Sequence, residues 1–198
     1  MKKSPLFALS ALAAGLMMSV AQAAPSIDQF ASGLAGFSSQ WSSGSWSASQ
    51  VLGASNTFSY GDISTAWAPS PRNGSLEWVS VTFDQAVFAT GATIRETYGN
   101  GFVYQVDAIG LDGSLHNVWS GTDTSQAGTP VDFAITWAQT AFAVKGLKIY
   151  TNTDHDLNAW EEIDSIKITG AVPEPETYAM LLAGLGLIGF TARRRRGK

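Results

Sequence analysis

The sequence Leu76-Glu77-Trp78-Val79-Ser80-Val81-Thr82-Phe83 has strong strand character in this 198-residue chain. It is rich in β-branched and aromatic residues, and its apolar and polar residues partly alternate. Side chains on a strand point to opposite faces in turn, so this alternation predicts a strand with one buried face. The chain shows no long helical pattern outside its two ends, and we therefore predict an all-β domain.

Further strand patterns follow toward the C-terminus, and turn residues separate them. Asp112-Gly113 is a strong hairpin signal. A set of about eight short, regularly spaced strands is typical of a β-sandwich or jelly roll. Besides the first stretch, we predict strands over residues 92–98, 102–111, 115–119, 131–137, 145–151 and 163–169.

The segment before these strands has a less regular pattern. Ile27, Phe30, Leu34 and Phe37 recur at helix-like spacing, but glycines and serines interrupt them. We predict a short helix or an irregular lead-in over residues 26–40. The composition that follows, rich in serine, glycine and tryptophan, is typical of loops and edge strands.

The N-terminus has the three parts of a secretory signal peptide. Lys2 and Lys3 form a basic region, residues 6–20 are apolar, and Ala21-Gln22-Ala23 is a small-x-small cleavage site. We predict a signal peptide over residues 1–23, with cleavage after Ala23 and with the Sec translocon and signal peptidase as partners. The alternative is a retained N-terminal anchor.

The C-terminus carries a second apolar segment. Residues 178–192 contain no charge and are followed by Arg193, Arg194, Arg195 and Arg196. As a helix this run is about 22 Å long, and snorkelling arginines can extend it toward the thickness of a bilayer core. Basic flanks stay on the cytoplasmic side. We predict a single transmembrane helix in the inner membrane with the rest of the chain outside, a buried core helix being the alternative.

A short motif precedes that helix. Val172 is followed by Pro173-Glu174-Pro175, and the order of motif, apolar helix and arginine cluster resembles the PEP-CTERM sorting signal over residues 172–198. The resemblance implies recognition by an exosortase in the inner membrane of a Gram-negative bacterium. It also implies cleavage near the motif and transfer to the cell surface or the exopolysaccharide matrix.

The middle of the chain, residues 24–171, is then a single domain. Residues 24–172 contain 14 acidic and five basic residues, a net charge near −9, and the chain has no cysteine. Such a domain repels nucleic acid, so we expect no nucleic-acid partner. It is held by packing or by a metal rather than by disulfides.

Several short motifs in this domain resemble the galactose-binding-like, discoidin-type jelly roll. They are Ala48–Gly53, Thr65-Ala66-Trp67, the first strand, Glu96-Thr97-Tyr98 and the segment from Trp160 to Asp164, and the resemblance covers residues 47–170. It implies a jelly-roll β-sandwich. The chain lacks the cysteine pair of many extracellular members, and the type of ligand stays open.

Tryptophans are the strongest indication of a ligand. Aromatic faces stack on sugar rings, and jelly rolls bind glycans through loops at one end. We predict Trp67, Arg72 and Trp160 as ligand-binding residues, with burial of the tryptophans in the core as the alternative.

Two further positions bear on ligands. Asp154, Asp156 and Asn158 alternate in a loop and offer three oxygen ligands for Ca²⁺, the alternative being a solvated turn. Glu96 shares a strand face with Ile94 and Tyr98. It is either a core carboxylate with a partner, a metal or ligand contact, or part of an exposed face.

Together these features predict an exported, exosortase-processed surface or matrix protein whose sandwich binds carbohydrate or exopolysaccharide. The alternatives are a structural matrix protein without a small ligand and a secreted glycan hydrolase. We expect no enzyme, because the chain has no G-x-S-x-G elbow, no cysteine and only two histidines.

Overall fold

The computed structural model describes residues 25–173 and 183–188. The predicted signal peptide, Glu174 and Pro175 of the sorting motif, the arginine cluster and most of the predicted transmembrane segment lie outside the described residues. Residues 183–188 are helical. Within the described ranges, no helix is both long and apolar enough to cross a membrane.

The described domain is all-β, which confirms the predicted fold class, and one short 3-10 helix lies over Ala48–Val51. Most strands lie within a few residues of their predicted positions. The strands are β1 Ser26–Phe30, β2 Gly33–Phe37, β3 Leu76–Tyr98, β4 Val103–Gly110, β5 Leu115–Ser120, β6 Val131–Thr136, β7 Val144–Asn152 and β8 Glu162–Ala171.

The strands form two antiparallel sheets that share β3. One sheet has the order β1-β8-β3-β6 and the other the order β2-β3-β7-β4-β5. The first part of β3 pairs with β7 up to Thr82, and the register then shifts before Val87. From Phe88 onward β3 pairs with β8. The two strands predicted over residues 76–83 and 92–98 are therefore one long strand that passes from one sheet to the other.

The predicted helix or irregular lead-in over residues 26–40 is wrong. β1 pairs with β8, and β2 pairs with β3. The glycines that interrupt the helix-like pattern are needed for close strand contacts: a Cβ on Gly33 would overlap Thr82 Oγ1, and one on Gly36 would lie 3.3 Å from the Trp78 ring. The spacing of the apolar residues reflects two short strands rather than one helix face.

The core lies between the two sheets. It is built from β-branched and aliphatic side chains of β3, β4, β7 and β8, and Trp67 lies fully buried among them. Val172, the first residue of the predicted sorting motif, also packs against this core. All eight described strands and the 3-10 helix lie within residues 25–173, so a fragment spanning residues 24–173 contains every described element of the sandwich.

Trp67 is tied to the core by its backbone as well as its ring. Its backbone N–H donates to Ile163 O at 2.8 Å, and its carbonyl accepts from Ile163 N at 3.1 Å. Its indole Nε1 donates to Ser39 O at 3.0 Å. The ring therefore joins the loop after β2 to the start of β8.

We expect Trp67→Ala to lower the free energy of unfolding by about 3–5 kcal/mol, because it leaves a large cavity and an unpaired carbonyl. Urea unfolding of the fragment measures this loss. Trp41→Ala is the matched control, since Trp41 is half exposed, and it should cost less than about 1 kcal/mol. Equal losses in the two variants would contradict the core role of Trp67.

Four connections emerge at one end of the sandwich. Leu76, where β3 begins, is paired with Asn152, where β7 ends, and Tyr98, where β3 ends, is paired with Glu162, where β8 begins. This end, here called the loop end, therefore gathers residues 38–75, 99–102, 121–130 and 153–161.

Candidate functional site

The loop end contains an open cleft lined by aromatic side chains. The residues that line it are Trp41, Trp46, Asp62, Ala68 and Trp160, and its volume is about 130 Å³. Small-molecule sites combine apolar walls with a few polar groups, as this cleft does. We call it the tryptophan cleft.

Two of its rings form an edge-to-face pair with an arginine beside them. The ring centroids of Trp41 and Trp160 lie 5.2 Å apart at an interplanar angle of 72°. The guanidinium of Arg72 lies 5.2 Å from the centroid of the Trp160 ring, within the range of a cation–π contact. Trp41 is 53% exposed, so the cleft presents an aromatic surface to solvent.

Backbone hydrogen bonds hold the loop after β2 in place at Trp41 and Trp46. Trp41 N donates to Ala68 O at 2.9 Å, and Trp46 N donates to Ser64 O at 3.0 Å. Trp46 has φ +52°, a left-handed conformation that a bulky residue adopts at a cost. Strained backbone of this kind clusters at binding sites, where the surrounding structure holds it.

Polar groups lie beside these rings. Asp62 lines the cleft and is exposed. Trp160 Nε1 and Glu162 Oε1 are buried and have no hydrogen-bond partner. The cleft thus offers a guanidinium and a carboxylate around an aromatic surface.

Burial shifts the ionisation of the glutamate behind the cleft. Glu162 is fully buried, and its Oε2 accepts from Ile63 N at 3.3 Å. Burial, the largest cause, and the neighbouring Asp62 charge together raise the pKa of Glu162 to about 9, although the Ile63 amide lowers it. Glu162 is therefore neutral at pH 7.

The structure brings together two of the three predicted ligand-binding residues. Arg72 and Trp160 are in contact at the tryptophan cleft. Trp67 is fully buried, so its predicted ligand contact is wrong, and its ring is part of the core instead. Trp41, Trp46 and Asp62 were not among the predicted ligand-binding residues, although the tryptophan-rich and serine-rich composition of residues 38–49 is a signal for such a loop.

The loop with the predicted calcium ligands is a hydrogen-bonded turn. Asp154 Oδ1 accepts from Gly74 N at 2.7 Å, and Asp156 Oδ1 accepts from Asn158 N at 2.9 Å. One oxygen of each carboxylate accepts from a backbone amide, so the loop is held as a turn by its own contacts. The calcium role of these three residues stays a prediction. The contact with Gly74 holds the loop against the turn that follows Arg72.

Gly99 determines how closely β3 approaches Trp160. It has φ +63°, and a Cβ there would lie 2.6 Å from Trp160 O. We expect Gly99→Ala to displace Trp160, to lower the melting temperature by several degrees and to weaken any ligand bound at the cleft. Thermal melting combined with a binding titration measures both effects.

The control for this substitution is Gly113→Ala in the β4–β5 hairpin. Gly113 has φ +87°, but a Cβ there would meet no atom within 4 Å. It carries the same kind of backbone strain without a clash, so it should lower stability and leave binding unchanged. If Gly113→Ala also abolished binding, backbone strain alone, without displacement of Trp160, would explain the weaker binding of Gly99→Ala.

Solved structures share this fold at low sequence identity. The match to reduced XRCC1 bound to the DNA pol beta catalytic domain has 11% identity and a TM-score of 0.56, and covers 74% of this chain and 100% of that chain. The family 32 CBM from C. perfringens NanJ in complex with galactose matches at 16% identity and a TM-score of 0.50, covering 73% and 93%. A truncated AlyQ with CBM32 and alginate lyase domains matches at 17% identity and a TM-score of 0.48, covering 76% of this chain and 35% of that chain.

At these identities the likeness shows the fold alone: the domain is a galactose-binding-like β-sandwich with CBM32 and discoidin-type neighbours. A family model, the PEP-CTERM protein-sorting motif, matches residues 171–196. The chain therefore carries this sorting motif, which indicates an exported protein that is transiently anchored in the membrane and processed by an exosortase. No curated protein is similar enough in sequence to match.

Proposed function

We propose that the chain is displayed at the surface, or in the extracellular matrix, of a Gram-negative bacterium and binds carbohydrate in the tryptophan cleft. The sorting motif supports export. The observation that carries the binding half is the open pair of Trp41 and Trp160 with Arg72 beside it. Sugar rings have apolar C–H faces and polar rims, and this cleft offers a surface for each.

The polar groups in the cleft indicate how a sugar is held. The carboxylate of Asp62 accepts hydrogen bonds from hydroxyl groups, while Arg72 donates to hydroxyl or ring oxygens. Asp62 and Arg72 are exposed, so both can reach a bound sugar. The net charge near −9 of residues 24–172 favours neutral glycans over strongly anionic ones.

The carboxyl pair beside the cleft does not favour a hydrolase. Glycosidases use two carboxyl groups about 5–10 Å apart, with the bond to be cleaved between them. Glu162 is fully buried, so a glycosidic bond in the cleft cannot lie between its carboxyl group and that of Asp62. Binding without cleavage is the function that this geometry supports.

A glycan array and affinity electrophoresis against bacterial exopolysaccharides test the proposal on the fragment spanning residues 24–173. We expect saturable binding to neutral glycans and no release of reducing sugar. Phe58→Ala is the control, since Phe58 is 76% exposed and is not among the cleft residues. Absence of binding, combined with self-association of the fragment, would favour the structural matrix protein instead.

A further inference from the structure

A second group of polar atoms at the loop end is buried without partners. Glu96, near the end of β3, is 0% exposed; its Oε2 accepts from Gly101 N at 2.9 Å, while Oε1 has no partner at hydrogen-bonding distance. Asp123, after β5, is 4% exposed; its Oδ1 accepts from Ser125 N at 2.8 Å, while Oδ2 has no partner. The tryptophan cleft includes neither residue.

These two carboxyl groups lie in neighbouring loops that are packed together. The Gly101 amide donates to Glu96, and a Cβ on Gly101 would lie 2.9 Å from Ser125 O. The Ser125 amide in turn donates to Asp123. Buried carboxylate oxygens that only accept hydrogen bonds and have no donor need a proton or a cation.

The protein supplies no cation to this pair. In the described part of the chain the ion pairs are Arg95 with Asp132 and Lys167 with Asp28. Both join strands at the surface and leave Glu96 and Asp123 without a basic partner. An unpaired buried charge is costly, so the pair is either protonated or neutralised by an ion from solution.

A third oxygen and a route from solvent complete the arrangement. Asn100 is 2% exposed, and its Oδ1 has no partner, while its Nδ2 donates to Gln126 O and Thr129 O in the loop that carries Asp123. Asp123 also lines an open cleft with Gly101, Asn152 and His155. A small ion with its water can therefore reach Asp123 from solvent.

We propose that Glu96, Asp123 and Asn100 bind a calcium ion between the β3–β4 and β5–β6 loops. Carboxylate and amide oxygens are the ligands that calcium prefers, and it accepts water and backbone carbonyls in irregular loop geometry. Within residues 25–173 and 183–188, no group of three or more acidic, histidine or cysteine residues is arranged to hold a metal. With two carboxylates and one amide as side-chain ligands, the remaining coordination positions would be filled by water and backbone carbonyls.

The test uses the fragment spanning residues 24–173 after treatment with EDTA and dialysis. Isothermal titration with CaCl₂ should show one saturable site. At a hundredfold excess over Kd the melting temperature should rise by about 5 °C or more. MgCl₂ should act more weakly, because Mg²⁺ demands stricter octahedral geometry. The calcium proposal does not depend on carbohydrate binding, so it still stands if the fragment binds no glycan.

Isosteric variants locate the ion. Glu96→Gln and Asp123→Asn each keep the backbone hydrogen bond and remove a charged ligand, so each should weaken calcium binding at least tenfold. Glu162→Gln is the matched control, because Glu162 is also a buried glutamate beside an aspartate; it should keep the wild-type calcium response. Circular dichroism checks that each variant is folded.

Two outcomes would overturn the proposal. The first is a wild-type fragment that neither binds calcium nor gains thermal stability at millimolar concentrations, which would mean that protonation alone neutralises the pair. The second is a calcium response that is lost in Glu162→Gln and kept in both Glu96→Gln and Asp123→Asn, which would place the ion elsewhere at the loop end.

Discussion

Trp160→Ala should weaken carbohydrate binding by about 30-fold or more. Removing a central aromatic contact at a binding site costs about 2 kcal/mol or more, and each 1.4 kcal/mol is a tenfold change in Kd. Trp160 contacts both Trp41 and Arg72, so its loss removes the stacking surface and frees the guanidinium. Titration of the fragment with the best array ligand measures the change in Kd.

Two companion variants separate stacking from general damage. Trp41→Phe keeps an aromatic ring and should lose less than tenfold, whereas the double variant Trp41→Ala/Trp160→Ala should show no measurable binding. Phe58→Ala should bind as the wild type does. If Trp160→Ala binds with unchanged Kd while remaining folded, the tryptophan cleft is not the carbohydrate site.

The strands were largely predictable because their signal is local. Alternation over residues 76–83 and the hairpin signal at Asp112-Gly113 come from backbone geometry that neighbouring residues determine. The same alternation placed Glu96 on the strand face of Ile94, and both residues are fully buried. Such patterns require no knowledge of distant partners.

The roles of the tryptophans were not predictable in this way. Trp67 is buried because its backbone pairs with Ile163, 96 positions further along the chain. Trp160 precedes β8 and meets Trp41 only because the loops after β2 and β7 emerge at the same end. Burial of a tryptophan is therefore decided by long-range pairing, which composition does not reveal.

The β1 and β2 strands show a third kind of limit. Their glycines reduce local strand propensity, and isolated short segments of this composition do not identify themselves as strands. The sheets accept them because β8 and β3 offer unpaired edges, and Gly33 and Gly36 permit close approach to Thr82 and Trp78. Tertiary pairing here overrides the local pattern.

The second large effect is that the domain should become less stable as the pH rises from 5 to 9. Glu162 has an ordinary pKa of 4.5 in the unfolded chain, and burial raises it to about 9 in the folded domain. Glu161 behaves likewise, with burial raising its pKa to about 8. Between these values the folded state holds protons that the unfolded state has released, so the free energy of unfolding falls as pH rises.

Glu162→Gln should remove the part of this pH dependence that comes from Glu162, while Glu96 and Glu161 keep theirs. Glutamine stays neutral at every pH and still accepts from Ile63 N, so the variant should be more stable than the wild type at pH 8 by on the order of 1–3 kcal/mol. At pH 5, where the wild-type Glu162 is protonated when folded, the two proteins should differ little. Urea unfolding at pH 5, 7 and 9 in EDTA measures the slopes without interference from divalent ions.

Glu161→Gln distinguishes this cause from a general alkaline effect. Because its pKa is about 8, Glu161 lowers the free energy of unfolding only as the pH rises to about 8. The variant should therefore reduce the decrease in this free energy between pH 5 and 8 and leave the decrease between pH 8 and 9 unchanged. A free energy of unfolding that rises from pH 5 to 8 in the wild type would contradict the claim that these buried glutamates are neutral. An unchanged dependence of that free energy on pH in both variants would contradict it too. The expected result would mean that this exported domain is most stable under mildly acidic conditions, because three fully buried glutamates at its loop end are then uncharged.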